Sequence, residues 1–136
     1  MLIDELKNIA RNNGIVGAGG AGFPAYAKMT EKADTVILNC VECEPLLKLH
    51  RQLLATHTEE IIQMLDEVRE SFGAKEAVIG IKSEYVTTIK AIEEVIGDFP
   101  NVRICALKAA YPMGDEVVLI YEATGRVIKP GGLPID

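Results

Sequence analysis

The sequence predicts an α/β domain with three layers, in which a mostly parallel sheet lies between helices. Three short apolar runs, each about as long as a buried strand, alternate with helical patterns along most of the chain. This alternation is typical of parallel sheets, because their strands are covered on both faces and helices form the crossovers. With 136 residues, 49% of them hydrophobic, the chain can bury one core.

The first half combines helices with a glycine-rich loop. Apolar residues at helical spacing, followed by Asn-Asn-Gly, indicate where the first helix lies and ends. A proline after the loop is suited to the first position of another helix. The predicted elements are a helix over residues 2–12, a loop over 14–22, a short helix over 24–29 and a strand over 35–38.

The second half alternates more regularly. Helical spacing of isoleucine, leucine and valine alternates with short runs rich in β-branched residues. The predicted elements are a helix over 57–72, a strand over 77–81, a helix over 85–96 closed by Gly97, a strand over 102–105, and a helix that follows residues 113–116.

Composition excludes several classes of function. The net charge of −6 argues against nucleic acid as a partner, because phosphate contacts need clustered Lys and Arg. No apolar run approaches the roughly 20 residues of a membrane span. Three cysteines do not form a disulfide framework, and the N-terminus lacks a secretory pattern. We expect a cytoplasmic domain over 1–136, and the loop-like C-terminal composition suggests the N-terminal part of a longer protein.

The glycine-rich loop is the strongest functional signal. Five of the nine residues 14–22 are glycine, and Gly17, Gly19 and Gly22 fit the spacing G-x-G-x-x-G. Glycines let a backbone turn sharply and bring N–H groups close to a phosphate. Glu42 lies twenty residues further on, as an acidic ribose ligand would in a Rossmann domain. A Rossmann fingerprint needs a preceding strand, however, and here the preceding segment is helical.

Polar and ionisable side chains follow the first predicted strand. Asn39, Glu42 and Glu44 lie where ligands bind in open α/β sheets, at the carboxyl end of a strand. The amide of Asn39 could both donate to and accept from a heterocycle, and the carboxylates could accept from ribose or flavin groups. The alternative is a solvated turn whose carboxylates cap a helix.

Two further features carry weaker signals. Cys40 and Cys43 form C-x-x-C, which is compatible with a thiol redox pair, half of a metal site, or two buried thiols. No further ligands with paired spacing favour a metal, so we predict none. Residues 113–116 precede a helix and are compatible with ordinary capping, and Lys28 could meet a phosphate.

Several segments together resemble one family. Residues 14–29 and 39–45 are similar to the flavin-binding subunit of respiratory complex I and its relatives. Residues 42–49, 111–117 and 124–135 resemble most closely the C subunit of the Rnf electron-transport complex, the cobalamin reductase of propanediol microcompartments and a proline-reductase-associated electron carrier. The resemblance covers nearly the whole chain.

The resemblance implies an NADH-dependent oxidoreductase in the intact protein. Members of this family bind FMN in an α/β domain and accept hydride from NADH, the reduced form of NAD. They pass electrons to 4Fe-4S clusters, which here would lie outside this chain. Expected partners are NADH and other electron-transfer subunits or a downstream reductase, and partner subunits could hold the domain peripherally at a membrane. No side chain is expected to act as acid or base, because the flavin takes the hydride.

By position in the family, the resemblance assigns eleven residues to cofactor binding. Gly17, Gly19 and Gly20 would hold the flavin, with Lys28 near its phosphate. Asn39 and Glu42 match flavin-contacting positions, and Phe23 and Glu44 match positions that line the dinucleotide site. The remaining three, beside the flavin ring, are Gly114, Asp115 and Glu116.

Three other functions remain open at this point. The first is a Rossmann-type dinucleotide-binding module without flavin. The second is a non-catalytic docking domain that keeps the fold but lacks the cofactor. The third is a thiol redox protein that uses Cys40 and Cys43.

Overall fold

A computed structural model describes residues 1–17, 20–29 and 32–136. The predicted order of helices and strands is confirmed, with one additional helix. The helices are α1 (Ile3–Asn12), α2 (Ala25–Lys28), α3 (Leu49–Thr56), α4 (Thr58–Phe72), α5 (Val86–Val95), which continues as a 3₁₀ turn (Ile96–Asp98), and α6 (Glu116–Thr124). The strands are β1 (Thr35–Asn39), β2 (Glu76–Lys82) and β3 (Val102–Leu107).

The three strands form a parallel sheet in the order β1-β2-β3. Leu38 of β1 pairs with Ile79 of β2, which in turn pairs with Ile104 of β3. The central strand is buried over residues 77–81, which explains its uninterrupted apolar sequence. Because all three strands run in the same direction, their carboxyl ends meet at one edge, which we call the carboxyl edge.

One face of the sheet packs against α3, α4 and α5. Side chains at alternate positions of each strand point to this face. Ile79, Ile62 of α4 and Ile92 of α5 are completely buried there. This is the larger core of the molecule. Both crossover connections, from β1 to β2 and from β2 to β3, run on this side of the sheet.

The opposite face packs against α6. Leu119 of α6 is buried with Val41 and Leu107 in a second, smaller core. Gly80 of β2 makes this approach possible, because a Cβ at Gly80 would lie 2.6 Å from a methyl group of Leu119. Helices therefore cover both faces, and the predicted three-layer α/β/α architecture is confirmed.

Helix α3 is the element that the sequence pattern did not predict. It follows residues 45–48 and ends one residue before α4 begins. Within it only Leu54 is buried, while Leu49 and Leu53 are about half exposed. With eight residues and one buried leucine, α3 gives too short a pattern to be recognised as a helix from the sequence alone.

Ion pairs connect elements at the amino end of the sheet. Arg103 of β3 donates to both carboxylate oxygens of Glu76 at 2.8 and 3.2 Å and to the carbonyl oxygen of Ala123 in α6 at 2.7 Å. Arg126 donates to Asp34 at 2.9 Å. The hydrogen bond from Arg103 lowers the pKa of the Glu76 carboxyl below its usual value. These pairs lie at the opposite end from the carboxyl edge.

None of the helices described by the structure combines the length and apolar character needed to cross a lipid bilayer.

We predict that Gly80→Val destabilises the domain by about 1–3 kcal/mol, because the added side chain must displace the buried Leu119 from its position on β2. Urea unfolding measures the change. Gly97→Val is the matched control, since a Cβ at Gly97 meets no atom within 4 Å. Equal stabilities of the two variants would contradict the close packing of α6 on β2.

Candidate functional site

The polar segment that follows β1 lies at the carboxyl edge of the sheet. Asn39 is the last residue of β1, and residues 39–44 form what we call the exit segment. The N–H of Cys40 still donates to the carbonyl oxygen of Gly80 in β2 at 2.9 Å. The backbone leaves the sheet at the next residue, Val41, whose N–H donates to the Asn39 side-chain oxygen at 3.1 Å instead. The exit segment is thus fixed to the sheet at its start.

Gly114, just before α6, packs directly against the exit segment. The Asn39 amide donates to the carbonyl oxygen of Gly114 at 2.9 Å, and the Gly114 N–H donates to Cys43 Sγ at 3.1 Å. A Cβ at Gly114 would overlap with the carbonyl oxygen of Val41 and lie 2.7 Å from Cys43 Sγ. Only glycine fits this position, so the contact explains in physical terms why that residue precedes α6.

Glu42 is a buried carboxylate, with only 6% of the residue exposed. Its Oε1 accepts from the backbone N–H of His50 at 2.8 Å, in the first turn of α3. Arg51 lies 3.8 Å from Oε2, which has no hydrogen-bond partner among the described residues. The interpretation as a solvated turn is therefore wrong for Glu42, although its capping of a helix is confirmed. A buried carboxylate oxygen with unused acceptor capacity suits a ligand that donates a hydrogen bond.

The two ends of the glycine-rich loop are held together between α1 and α2. The N–H of Gly17 donates to the carbonyl oxygen of Phe23 at 3.1 Å, and Val16 bridges Pro24. Gly22 has a φ of +76°, which favours glycine. A Cβ at Gly17 would meet no described atom within 4 Å, so its Cα faces open space, while its N–H is already engaged by Phe23. Gly19, predicted as part of the same cradle, lies outside the described residues.

Phe23 and Lys28 lie together at the end of this loop. The Phe23 ring is about half exposed, and Lys28 Nζ is 5.4 Å from the ring centroid. Lys28 is on the last turn of α2. The pair combines an exposed apolar ring with a cation, an arrangement compatible with a dinucleotide or a phosphate.

The other four predicted residues are exposed: Gly20, Glu44, Asp115 and Glu116. Asp115 caps α6, accepting from the N–H groups of Val117 and Val118 at 3.0 and 3.4 Å. The ordinary capping interpretation therefore describes its side chain. Glu116 begins α6, and Glu44 ends the exit segment.

The structure brings one group of predicted residues together and leaves another apart. Asn39, Glu42 and Gly114 share the exit segment and its contacts, and Asp115 and Glu116 adjoin Gly114. The second group consists of Gly17, Gly20, Phe23 and Lys28. Within residues 1–17, 20–29 and 32–136, no hydrogen bond or ion pair joins one group to the other.

A groove of about 820 Å³ adjoins the first group. It runs along β1 from residues 32–35 at the amino end of the sheet to Asn39 and Glu116, and part of the segment 124–136 forms its other wall. Only Asn39 and Glu116 of the predicted residues line it. A second cavity, between α3 and the start of α5, is smaller at about 370 Å³.

The two thiols of C-x-x-C differ in environment. Cys40 is buried, and desolvation together with the charge of Glu42 raises its pKa to about 12. Cys43 is partly exposed and accepts the hydrogen bond from Gly114. A reactive redox pair needs an accessible thiolate of low pKa, so the environment of Cys40 disfavours the thiol redox interpretation. The described residues include no cluster of three potential metal ligands.

Sequence reasoning missed the residues that hold Glu42. Lys82, the last residue of β2, donates from Nζ to the carbonyl oxygen of Glu42 at 2.6 Å. Arg51 stacks on the ring of Tyr85, 4.3 Å from its centroid. Lys82 could have been found from its place at the end of a predicted strand, whereas Arg51 lies on the helix that was not predicted.

An α/β/α fold with a polar carboxyl edge and a glycine-rich loop defines a class of cofactor-binding domain. The chain belongs to the Nuo51 FMN-binding domain family, which matches residues 10–136. The resemblance inferred from the sequence is thereby confirmed.

Named relatives agree with this family. The chain is 38% identical over 131 residues to the cobalamin reductase PduS of Citrobacter freundii, covering 96% of this chain and 29% of that protein. It is 35% identical over 137 residues to the C subunit of the Na⁺-translocating ferredoxin:NAD⁺ oxidoreductase complex of Acetobacterium woodii, covering 98% and 31%. The chain thus spans about three tenths of the length of these relatives.

A solved structure shares the fold. A chain of the NAD⁺-reducing [NiFe]-hydrogenase in its air-oxidized state superposes with a TM-score of 0.76 and 25% sequence identity. The superposition covers 95% of this chain and 25% of the hydrogenase chain.

We predict that iodoacetamide at about pH 8 modifies Cys43 long before Cys40, because a thiol with a pKa of about 12 is ionised to only about one part in 10⁴. Peptide mass spectrometry measures the order of labelling. Denaturing the protein should make both sites react alike. Equal rates in the folded protein, or a reversible Cys40–Cys43 disulfide, would restore the thiol redox interpretation.

Proposed function

We propose that this chain is the FMN-binding domain of an NADH-linked electron-transfer protein, with the flavin bound at the carboxyl edge of the sheet. The observation that carries the proposal is the buried carboxylate of Glu42 in the exit segment, whose Oε2 has no hydrogen-bond partner among the described residues. Membership of the FMN-binding family supports the identity of the cofactor.

The chain's residues suit the separate parts of a flavin nucleotide. Backbone N–H groups of the loop that contains Gly17, Gly19 and Gly20 would bind the phosphate, with Lys28 as the nearby cation. Asn39 and Glu42 would contact the polar atoms of the flavin. Gly114 would hold the exit segment in place beside the ring, because the Val41 carbonyl oxygen packs where a side chain would otherwise stand.

The substrate side of the proposal involves NADH. Phe23 would pack against the dinucleotide, and Glu44 would accept from its hydroxyl groups. When bound, FMN would take up a hydride equivalent and release electrons singly, chemistry that side chains cannot supply. The residues named here bind and orient, and none transfers a proton.

The electrons would pass to 4Fe-4S clusters and partner subunits outside this chain. The activities of the relatives support this role, since one is a cobalamin reductase and another is a subunit of a ferredoxin:NAD⁺ oxidoreductase complex. In such a setting the domain would be cytoplasmic or held peripherally at a membrane by its partners, and it would form part of a longer polypeptide.

The competing dinucleotide-binding module without flavin is less well supported. Helix α1 precedes the glycine-rich loop, where a Rossmann fingerprint requires a strand. The arrangement at Glu42 also differs from a simple ribose contact, because one of its carboxylate oxygens caps α3.

Titration of the chain with FMN tests the proposal, with quenching of flavin fluorescence as the measurement. We expect saturable binding that Gly20→Val weakens at least about tenfold, because valine would obstruct the approach of a phosphate to the backbone. A Cβ at Gly20 lies 3.8 Å from the nearest atom, so the substitution itself fits the loop. Gly97→Val is the control. A folded chain without affinity for FMN would contradict the proposal and favour the docking-domain interpretation.

Reduction by NADH tests the second half of the proposal. Phe23→Ala should leave FMN binding intact. At subsaturating NADH and without oxygen, it should slow the bleaching of bound flavin by roughly tenfold, because an aromatic contact with the dinucleotide is lost. Met64→Ala, at an exposed position of α4, is the control. Bound FMN that NADH does not bleach would contradict hydride acceptance while leaving the flavin site in place.

A further inference from the structure

We infer that Lys82 is a positioning residue of the cofactor site, which acts by fixing the peptide unit between Glu42 and Cys43. This inference rests on the proposed function and extends it to a residue that neither the sequence pattern nor the family resemblance singled out. The carrying observation is the hydrogen bond of 2.6 Å from Lys82 Nζ to the carbonyl oxygen of Glu42.

Lys82 stands at the centre of the carboxyl edge. It is the last residue of β2, the middle strand, and it pairs with Leu107, the last residue of β3. Its side chain is partly buried, and its Nζ lies 5.9 Å from the centroid of the Tyr85 ring. A lysine held between an aromatic ring and a carbonyl oxygen has few rotamers available, so its ammonium group has a defined position.

The peptide unit that Lys82 holds connects two groups of the candidate site. On one side is Glu42, whose carboxylate is buried and caps α3. On the other side is Cys43, whose Sγ accepts from the N–H of Gly114. A rotation of this peptide would move both contacts at once. The hydrogen bond from Lys82 therefore fixes the distance between the carboxylate and the glycine that precedes α6.

The charge of Lys82 matters as well as its hydrogen bond. Glu42 is faced by two cations, Lys82 at its carbonyl oxygen and Arg51 at 3.8 Å from Oε2. Both lie over the ring of Tyr85. A cation near a flavin favours its reduced, more negative form, so loss of Lys82 should make bound FMN harder to reduce.

The first part of the test needs no cofactor. Amide hydrogen exchange at Gly114 reports the contact with Cys43, and we expect Lys82→Met to speed it about tenfold. Lys82→Arg, which keeps the charge and can still donate, should restore most of the protection. Lys90→Met, at an exposed position of α5, is the matched control. Unchanged exchange in Lys82→Met would overturn the inference.

The second part uses FMN. Lys82→Met should bind FMN about tenfold more weakly and shift the midpoint potential of bound flavin to more negative values, while Lys82→Arg stays near the wild-type protein. Faster exchange at Gly114 with unchanged FMN affinity and potential would reduce Lys82 to a purely structural residue and overturn its positioning role. If the wild-type chain binds no FMN, the proposed function fails, and the exchange measurement still decides whether Lys82 fixes the exit segment.

Discussion

The contact between Gly114 and the exit segment is the constraint on which the arrangement of the site depends. Both polar groups of the glycine backbone are bound by side chains from the exit segment, and its Cα lies against the carbonyl oxygen of Val41. The start of α6 is thereby fixed to the end of β1, although 75 residues separate Asn39 from Gly114. Gly80 permits the same helix to lie close to β2. Two glycines thus decide where α6 lies and, through it, the position of Asp115 and Glu116.

Burial of Glu42 is the second determinant of the site. A buried carboxylate is costly unless charges and hydrogen bonds compensate it. Here the compensation comes from the first turn of α3, where the His50 N–H donates to the carboxylate and Arg51 lies 3.8 Å from it. Lys82 at the end of β2 holds the backbone carbonyl of the same residue, so Glu42 keeps its position only if α3, β2 and the exit segment are all correctly packed.

Most of the fold could be predicted from the sequence because its strands and long helices have regular patterns. The buried run of β2 and the stripe of α4 are examples, and they indicated the correct class and layer order. Helix α3 could not be predicted, because its stability depends on tertiary contacts: a cap from Glu42 and a hydrogen bond from Thr88 to the carbonyl oxygen of Arg51 at 3.0 Å. The spacing of residues within α3 does not indicate contacts with residues outside the helix, such as Glu42 and Thr88.

The candidate site shows the same division between local and distant information. The exit segment was found because it follows a strand, and the glycine-rich loop because of its composition. Whether Glu42 is buried or solvated depends on Lys82 and Arg51, which are 40 and nine residues away, so the sequence left both interpretations open. The role of Gly114 likewise depends on its close contact with Val41, which cannot be predicted from the spacing of residues in the sequence.

The two ends of the sheet are held by polar contacts of different kinds. At the amino end, Arg103–Glu76 and Arg126–Asp34 have side chains about 40 to 60% exposed, whereas the Glu42 side chain at the carboxyl edge is 3% exposed. Dissolved ions screen exposed pairs far more than buried ones. Concentrated salt would therefore weaken the ion pairs at the amino end more than the contacts of Glu42, so ionic strength affects the two ends of the sheet to different extents.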